Sequence, residues 1–490
     1  LFVWQIIVQT MGYTSYPILS QVSFTMADGH EFPKITICNL NPVRKTYIEV
    51  LNSTGDLSPR LLDYILESTN DVTYGYAKES TLRHDHEELQ KYMARNPNFT
   101  VEEFFSNAGF DCASIMKLCY LAGREFDCCK YSTPVLTPLG KCEMFNFQNV
   151  TEKWMRRQTL PGLSNGLQFI LDAHLEEQMD GTGGEPEPVF TTSLENGFQF
   201  YISDPDLGTY LTSQAMGLSP GNRIYSALTM SQYNLLDKAQ WGNCTSEWPP
   251  GYSGANTLLK YSSTDCISKC KAKFYFERCG CSPFVFNIDD EYPSCMPYQT
   301  FKCTQEYVAV GTNGTNEELR WPSCSECPVE CSHREYVAFN SYGNGFSNGA
   351  LNWLSARHPA WTPAHIMKNF LTINIYFKEL TYIQYAQVQA TNISQLISNI
   401  GGNMGMFLGM SVFTVFETVI YLGKITWISF SKRRRRHLVR KKQKEEEQQQ
   451  ALEHATKTIQ ALNSSHGLQG LVAVTAGLGG CVHPSIFSFK

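Results

Sequence analysis

The sequence lacks the short motifs that identify the common enzyme classes. It has no Walker loop, no His-Glu-x-x-His, no Gly-x-Ser-x-Gly elbow and no dinucleotide-binding glycine fingerprint. Its adjacent acidic pairs, such as Glu102-Glu103, place their carboxylates on different faces of a strand or helix, which does not suit paired acid–base work. We therefore expect no enzyme and no cofactor.

Charge is nearly absent from one long stretch. Residues 400–422 form a 23-residue apolar run whose only charge is Glu417. At about 1.5 Å per residue, a helix of this length spans the roughly 30 Å core of a bilayer, so we predict a transmembrane helix. Gly401, Gly405 and Gly409 recur every four residues, which is typical of a helix-packing face. A carboxylate inside a membrane usually faces a bundle interior or water.

Cysteine is almost absent after this run and abundant before it. Of 17 cysteines, 16 lie between Cys38 and Cys331, and Cys481 alone follows the run. Six glycosylation sequons precede the run, at Asn52, Asn98, Asn149, Asn243, Asn313 and Asn392. We expect modification at the first five, because Asn392 is close to the predicted helix; only Asn463 follows it. Cysteines and sequons place residues from about 20 to 395 in an oxidising, glycosylating compartment.

Two groups of residues could suggest a metal site. Cys324-x-x-Cys327 and Cys279-x-Cys281 have spacings that bind zinc in cytosolic proteins, but disulfides are favoured in a sequon-bearing region. Residues 84–87, His-Asp-His-Glu, are too close in sequence to share one ion and fit a solvated loop or helix face better. We expect no metal.

The ends of the chain indicate its orientation. Five basic residues at 432–436 follow the apolar run, so the positive-inside rule places the C-terminus in the cytosol; their position beside a membrane span disfavours nucleic-acid binding. Residues 1–11 are apolar but too short to span a membrane, and no signal peptide is evident. We expect the outer end of a first transmembrane helix, hence two spans and both termini cytosolic. A single pass is the alternative.

Five motifs occur in an order that is specific to one family. They are FPKITICN at 32–39, GKCEMFN at 140–146, ten cysteines between Cys244 and Cys331, INIYFKEL at 373–380 and GGNMGMFLGMS at 401–411. Together they resemble the degenerin/epithelial sodium channel/acid-sensing ion channel superfamily. The resemblance covers nearly the whole chain, from Trp4 to about Ser431.

This resemblance implies a fold and a topology. The fold is an α+β membrane protein with two transmembrane helices and a large disulfide-rich ectodomain of palm, finger and thumb. Residues 1–12 would be the outer end of the first helix and 13–395 the extracellular domain. Residues 396–430 would be the second, pore-lining helix and 431–490 the cytosolic tail. The expected location is the plasma membrane.

The resemblance also implies a function. The chain would be a pore-forming subunit of a trimeric, amiloride-sensitive, sodium-selective cation channel gated through its ectodomain. The trimer could be homomeric or formed with other family subunits. The competing class is a single-pass, cysteine-rich receptor or adhesion protein without a pore.

Particular residues match the family's functional positions. Gly409, Met410 and Ser411 match the selectivity filter, although the family's middle residue is usually Ala or Ser. Gly402, Gly405 and Glu417 would line the pore. Gly405 also matches the blocker-binding position, and Ser398 matches a position that controls gating. Tyr16 and Trp241 are expected to pack together at the wrist, which couples the thumb to the first helix.

Disulfide pairing is implied only in part. The resemblance pairs Cys38–Cys142, Cys244–Cys331, Cys266–Cys327, Cys270–Cys324, Cys279–Cys303 and Cys281–Cys295. Cys112, Cys119, Cys128 and Cys129 should form two local disulfides, and the sequence does not choose among the three pairings. A vicinal Cys128–Cys129 bond is the least favoured, because it needs special backbone geometry.

The gating stimulus is the least determined property. Family members are constitutive, proton-gated, peptide-gated or mechanically linked, so an extracellular peptide or proton is a candidate ligand. The Tyr13-x-x-Tyr16-Pro17 stretch is more similar to epithelial or peptide-gated members. His30 is the one histidine expected near the wrist.

Overall fold

The computed structural model describes residues 2–69, 79–179, 195–206, 215–252, 260–288, 290–310, 318–319, 321–409 and 411–465. Met410, Asn313 and Cys481 lie outside these ranges. The chain divides into two compact units, Gly12–Asn392 and Leu1–Met11 together with Ile393–Lys490. Each unit is described by itself below.

The larger unit contains most of the secondary structure. Its strands are β1 Ile18–Met26, β2 His30–Glu31, β3 Lys34–Asn39, β4 Met116–Leu121, β5 Arg124–Phe126, β6 Ser132–Thr137, β7 Gly140–Phe145, β8 Arg157–Gln158, β9 Leu167–Asp172, β10 Phe198–Ser203, β11 Met216–Leu218, β12 Asn222–Asn234, β13 Ala309–Val310, β14 Glu318–Leu319, β15 Ser332–Asn344, β16 Phe370–Phe377 and β17 Thr381–Gln389. Its helices are α2 Lys45–Leu51, α3 Pro59–Leu66, α4 Glu79–Arg95, α5 Val101–Ala108, α6 Cys112–Ile115, α7 Cys128–Tyr131, α8 Lys153–Arg156, α9 Ser263–Cys279, α10 Pro297–Tyr307, α11 Asn348–Arg357 and α12 Pro363–Asn369.

Two sheets organise this unit. The first has the order β1-β17-β12-β16-β9-β4-β5, with β15 also paired to β12, and the second has the order β11-β10-β3-β7-β6. β12 runs parallel to both β16 and β17, whereas β1 and β17 are antiparallel. Ile35 and Ile37 of the FPKITICN motif lie in β3, in which every residue is buried, as expected for a central strand.

The main core is formed by side chains from both sheets. Ile37 of β3, Phe145 of β7, Phe169 of β9, Phe200 of β10 and Phe377 of β16 are all fully buried in it. The Phe145 and Phe169 ring centroids lie 5.0 Å apart. Each such side chain stabilises the fold by roughly 1.5–3 kcal/mol relative to exposure, so this core fixes the position of the strands around it.

A second core is helical. Buried residues of α3, α4 and α5, including Leu61, Leu89 and Phe105, pack with Met296 and Phe301 at the start of α10. Ser58 caps the start of α3: its Oγ accepts a hydrogen bond from Leu61 N at 3.1 Å, and Pro59 is the first residue of the helix. These are the capping residues that helix starts prefer.

Eight disulfides tie the larger unit together. They are Cys38–Cys142, Cys112–Cys129, Cys119–Cys128, Cys244–Cys331, Cys266–Cys327, Cys270–Cys324, Cys279–Cys303 and Cys281–Cys295. Six of these pairs are those that the resemblance implies. Of the three local pairings that the sequence left open, the structure has Cys112–Cys129 with Cys119–Cys128, and Cys128 is not bonded to Cys129.

The smaller unit departs from the sequence prediction. Its helices are α13 Ile393–Leu408 and α14 Val412–Ser465, and α1 runs from Phe2 to Thr14. The prediction of a single helix over residues 400–422 is therefore wrong, because α13 ends at Leu408 and α14 begins at Val412. Gly409 has a φ of 62°, the left-handed conformation that commonly ends a helix. Among the described residues, no helix combines the length and apolar character needed to cross a membrane.

Candidate functional site

The predicted pore residues before the helix break share one face of α13. Ser398, Gly402 and Gly405 are exposed, and their spacing of four and three residues continues to Gly409. Gly409 N donates to Gly405 O at 3.1 Å, so the last helical hydrogen bond closes immediately before the break. A Cβ added at Gly409 would meet nothing within 4 Å. The requirement for glycine here is therefore one of backbone conformation, not space.

A polar stripe continues after the break. Thr414 Oγ1 donates to Ser411 O at 2.7 Å, and Thr418 Oγ1 donates to Thr414 O at 2.7 Å. Glu417 is exposed next to Thr418. Each threonine hydroxyl satisfies its donor within its own helix and still presents oxygen lone pairs outward. Sequence reasoning missed Thr414 and Thr418, although their spacing from Ser411 is the helical signal that could have found them.

The structure brings Tyr16 and Trp241 together, as the resemblance implies. Their ring centroids lie 5.4 Å apart, and Tyr13 packs edge-on against the same indole at 5.2 Å. Tyr16 and Trp241 both have left-handed backbones, with φ of 52° and 76°. Such conformations are costly for residues other than glycine and persist where surrounding contacts hold them. Tyr13 is a member of this contact that sequence reasoning missed.

The loop that carries Trp241 is fixed from several sides. A Cβ at Gly242 would lie 1.7 Å from Leu236 O, so only glycine fits there. Cys244 is bonded to Cys331, and Leu236 N donates to Gln387 Oε1 of β17 at 3.1 Å. Trp241 is therefore held between the cysteine-rich block and the final strand of the sheet.

The paired strands β1 and β17, here called the ribbon, lead from this contact along the edge of the first sheet, and β17 is also paired with β12 over residues 383–386. β1 and β17 pair over nine residues, from Ile18 opposite Gln389 to Met26 opposite Thr381. Ala390 N then donates to Pro17 O at 2.9 Å. The chain enters this unit at Gly12 and leaves it after Asn392. Both points therefore adjoin the same end of the ribbon.

His30 is not at the wrist, and that prediction is wrong. The nine-residue strand β1 separates Tyr16, which precedes it, from His30, which follows it. The His30 ring centroid is 4.7 Å from that of Phe377. Only 3% of His30 is exposed. Burial lowers the pKa of this imidazole. A hydrogen bond to the Leu380 backbone raises the pKa by less, so the net shift is downward.

The sequons differ in their accessibility. Asn98, Asn149 and Asn243 are exposed. Asn52 is half-buried, and its Oδ1 accepts a hydrogen bond from Leu57 N at 2.9 Å. Asn313 lies outside the described residues. Among the described part of the chain, no group of three or more His, Cys, Asp or Glu residues has the geometry of a metal site.

Comparison with known proteins agrees with this architecture. The sequence model of the amiloride-sensitive sodium channel family matches residues 1–421. With its disulfide-tied mixture of helices and strands and its interrupted apolar helix, the chain belongs to the amiloride-sensitive sodium channel family, whose members are ion channels and not enzymes.

Three relatives illustrate the degree of similarity. The chain is 26% identical over 440 residues to the bile acid-sensitive ion channel of Mus musculus, covering 86% of this chain and 79% of that protein. It is 24% identical over 416 residues to acid-sensing ion channel 1A of Danio rerio, covering 84% and 78%. It is 26% identical over 413 residues to acid-sensing ion channel 2 of Homo sapiens, covering 84% and 76%. These relatives give no support to a closer similarity with epithelial or peptide-gated members.

Proposed function

We propose that this chain is the pore-forming subunit of a trimeric, sodium-selective, amiloride-sensitive cation channel of the plasma membrane. The observation that carries the proposal is the helix break at Gly409, within the apolar run and followed by the polar stripe from Ser411 to Thr418. A break frees backbone carbonyls that a continuous helix would use internally, and such carbonyls can replace water around a cation.

The proposed topology follows the same line. Residues 1–12 would be the outer end of a first transmembrane segment, and residues 396–430 would cross the membrane as two helical pieces joined at the break. Residues 13–395 would be extracellular and 431–490 cytosolic. Eight disulfides in the middle of the chain and the basic run at 432–436 support this orientation.

The ion path would use both sides of the break. Gly409, Met410 and Ser411 would form the constriction, and Glu417 would attract cations below it. Gly405, one turn above Gly409, would face amiloride. The bare surface at Gly402 and Gly405 would keep the path wide, and a bulky group at Ser398 would alter gating.

Gating would pass through the wrist. The disulfide-tied thumb would move the loop of Trp241, and the Tyr13 and Tyr16 rings would transmit that movement to α1. The names of the relatives make protons and bile acids candidate stimuli beside peptides. Each would act on the extracellular domain.

Two-electrode voltage clamp on cells expressing the chain tests the proposal. We expect a sodium current under acid, a bile acid or short amidated peptides, and block by amiloride. Ser411→Leu should abolish the current, because it fills the constriction. Ser429→Leu, the same change farther along α14, should leave the current intact.

The opposite result favours the alternative. If the chain reaches the cell surface and passes no current, alone or with other family subunits, the receptor or adhesion reading would replace the channel. Currents that are equal in the Ser411→Leu and Ser429→Leu variants would remove Gly409–Ser411 from the ion path.

A further inference from the structure

A cluster of charged and titratable side chains lies at the corner where β9 ends. The Asp172 carboxylate is at its centre, with only 2% of the side chain exposed. One carboxylate oxygen of Asp172 is 2.9 Å from His365 Nε2, 3.5 Å from Lys117 Nζ and 3.6 Å from His174 Nε2. The cluster joins β4, β9 and α12, and it uses none of the residues assigned above to the pore or the wrist.

The hydrogen bonds of His174 require two donors. Its Nδ1 is 2.8 Å from Glu176 Oε1, and its Nε2 is 2.8 Å from the backbone oxygen of Ser114. A backbone carbonyl and an ionised carboxylate only accept hydrogen bonds. Neutral imidazole has one N–H and one acceptor nitrogen, so it satisfies only one of these contacts, whereas the imidazolium cation satisfies both.

A neutral His174 would fit if the Glu176 carboxyl group carried the proton between Oε1 and Nδ1. Burial raises the pKa of its carboxyl group, but hydrogen bonds from its own backbone N–H and from His174 outweigh burial. The pKa of Glu176 therefore lies below its usual range, and the group is ionised at neutral pH. With Glu176 ionised, both hydrogen-bond partners of the His174 ring can only accept.

His365 has the opposite arrangement. Its Nε2 donates to Asp172, and its Nδ1 is 3.0 Å from Asn369 Nδ2. The Asn369 orientation is fixed, because its Oδ1 accepts from Leu175 N at 2.8 Å. The amide NH₂ therefore faces Nδ1, which must accept, so His365 is neutral with its proton on Nε2. Two histidines share one carboxylate in different protonation states.

The backbone at His174 depends on these contacts. Its φ is 48°, a left-handed conformation that is costly for a residue with a side chain. His174 N donates to Asp172 Oδ1 at 3.2 Å, and the Phe110 ring stacks on the imidazole at 5.8 Å. The side-chain bonds to Ser114 and Glu176 complete the set that holds this turn.

We propose that His174 is a proton-binding site whose bound proton fastens the end of β9 to the Ser114 segment. The charged and titratable groups that face it are Asp172, Glu176, Lys117 and His365. With the proton bound, two cations balance two carboxylates. Release of the proton at higher pH leaves an acceptor nitrogen against an acceptor oxygen, and the corner loosens. This site goes beyond ion conduction and does not depend on it.

Thermal unfolding of the purified full-length chain at about pH 6.0 and 8.5 tests the site. We expect the melting temperature to fall at the higher pH, and His174→Gln to reduce that fall by about 2 °C or more. His365→Gln should preserve the fall, because glutamine can both donate to Asp172 and accept from Asn369. His84→Gln, at an exposed histidine of α4, is the matched control.

A fall of equal size in wild type and His174→Gln overturns the proposal. So does a loss of the pH dependence in His365→Gln but not in His174→Gln. If His174→Gln does not fold, Glu176→Gln takes its place, since a glutamine that turns its NH₂ group toward Nδ1 no longer requires the second imidazole proton. The readout needs no current, so failure of the proposed channel function would be seen separately.

Discussion

Trp241 is the residue on which the wrist depends, because Tyr13 and Tyr16 both pack against it. Aromatic contacts of this kind contribute about 0.5–1.5 kcal/mol each. We predict that Trp241→Ala reduces the evoked current per surface channel about fivefold or more. Trp154→Ala, at a tryptophan whose ring faces Arg124 of β5, should not change it. Currents normalised to surface biotinylation decide the matter, and equal losses in both variants would contradict the coupling role.

Glu67 carries a pH dependence of stability. Burial, followed by repulsion from Asp63 and Asp85, raises its pKa to about 7 from 4.5. The folded state therefore binds more protons than the unfolded state between these values, and stability falls as pH rises from 4.5 to 7. Glu67→Gln should stabilise the protein at pH 8 by on the order of 2 kcal/mol, and have little effect at pH 4.5.

Melting temperatures of wild type and Glu67→Gln at the two pH values measure this difference. A gain of the same size at both values would show that packing, not the charge, is responsible. Asp85 is paired with Arg60 at 2.7 Å, so Asp85→Asn is a useful comparison in which the same neighbourhood loses a compensated charge.

At this scale the sequence predicted contacts only where a family motif marked them. Tyr16 and Trp241 were found in this way, and Tyr13 was missed although it lies one helical turn earlier. The cluster of Asp172, His174 and His365 had no signal, because nearly 200 residues separate its two histidines and only the fold brings them to one carboxylate. Local patterns carry no information on such distances.

At the scale of elements, the break between α13 and α14 is the feature with the most direct test. The left-handed conformation costs a residue other than glycine about 1–2 kcal/mol, which is a factor of about 5–30 in population. We therefore predict that Gly409→Ala favours a continuous helix and lowers unitary conductance or sodium selectivity. Gly423→Ala within α14, where a Cβ also meets nothing within 4 Å, should do neither.

Single-channel recording separates these variants at equal surface expression. Unchanged conductance and selectivity in Gly409→Ala would show that the break is dispensable. Because space is open at both glycines, a difference between the variants reports backbone conformation and not a clash.

The break also shows what periodicity misses. A run of 23 apolar residues predicts one helix, and glycine within the run is compatible with a membrane helix. The local sequence therefore does not indicate where the helix is interrupted. β16 shows that a motif locates a strand only approximately: INIYFKEL covers residues 373–380, whereas the strand is Phe370–Phe377. The pairing of Cys112, Cys119, Cys128 and Cys129 was open for a similar reason, because it depends on how α6, β4 and α7 pack.

At the scale of the whole molecule, the proposed topology predicts a pattern of glycosylation. Asn98, Asn149 and Asn243 are exposed in the larger unit, and Asn463 belongs to α14. Each Asn→Gln change at the first three should remove one glycan step on a gel. Asn463→Gln should remove none, because that part of the chain would be cytosolic.

Glycosidase treatment of single variants expressed in animal cells provides the measurement. A step lost with Asn463→Gln would place the tail outside the cytosol and contradict the two-span topology. The order of the strands has no comparable sequence test. β12 pairs with β16 over Arg223–Leu228 and with β17 over Ser231–Asn234, both some 150 residues later in the chain, and long-range pairing of this kind is not encoded in local alternation.

The ribbon of β1 and β17 has a mechanical consequence. Because both chain exits adjoin its Ile18–Gln389 end, a force that spreads the exits loads the hydrogen bonds one after another, as in a zipper. Strands pulled along their length in opposite directions would instead share the load. The first pairs can therefore fray at low force and close again without disturbing the pairs near Met26. Amide exchange should be fastest at Ile18 and slow progressively along the ribbon, which would make it a graded spring and not a rigid rod.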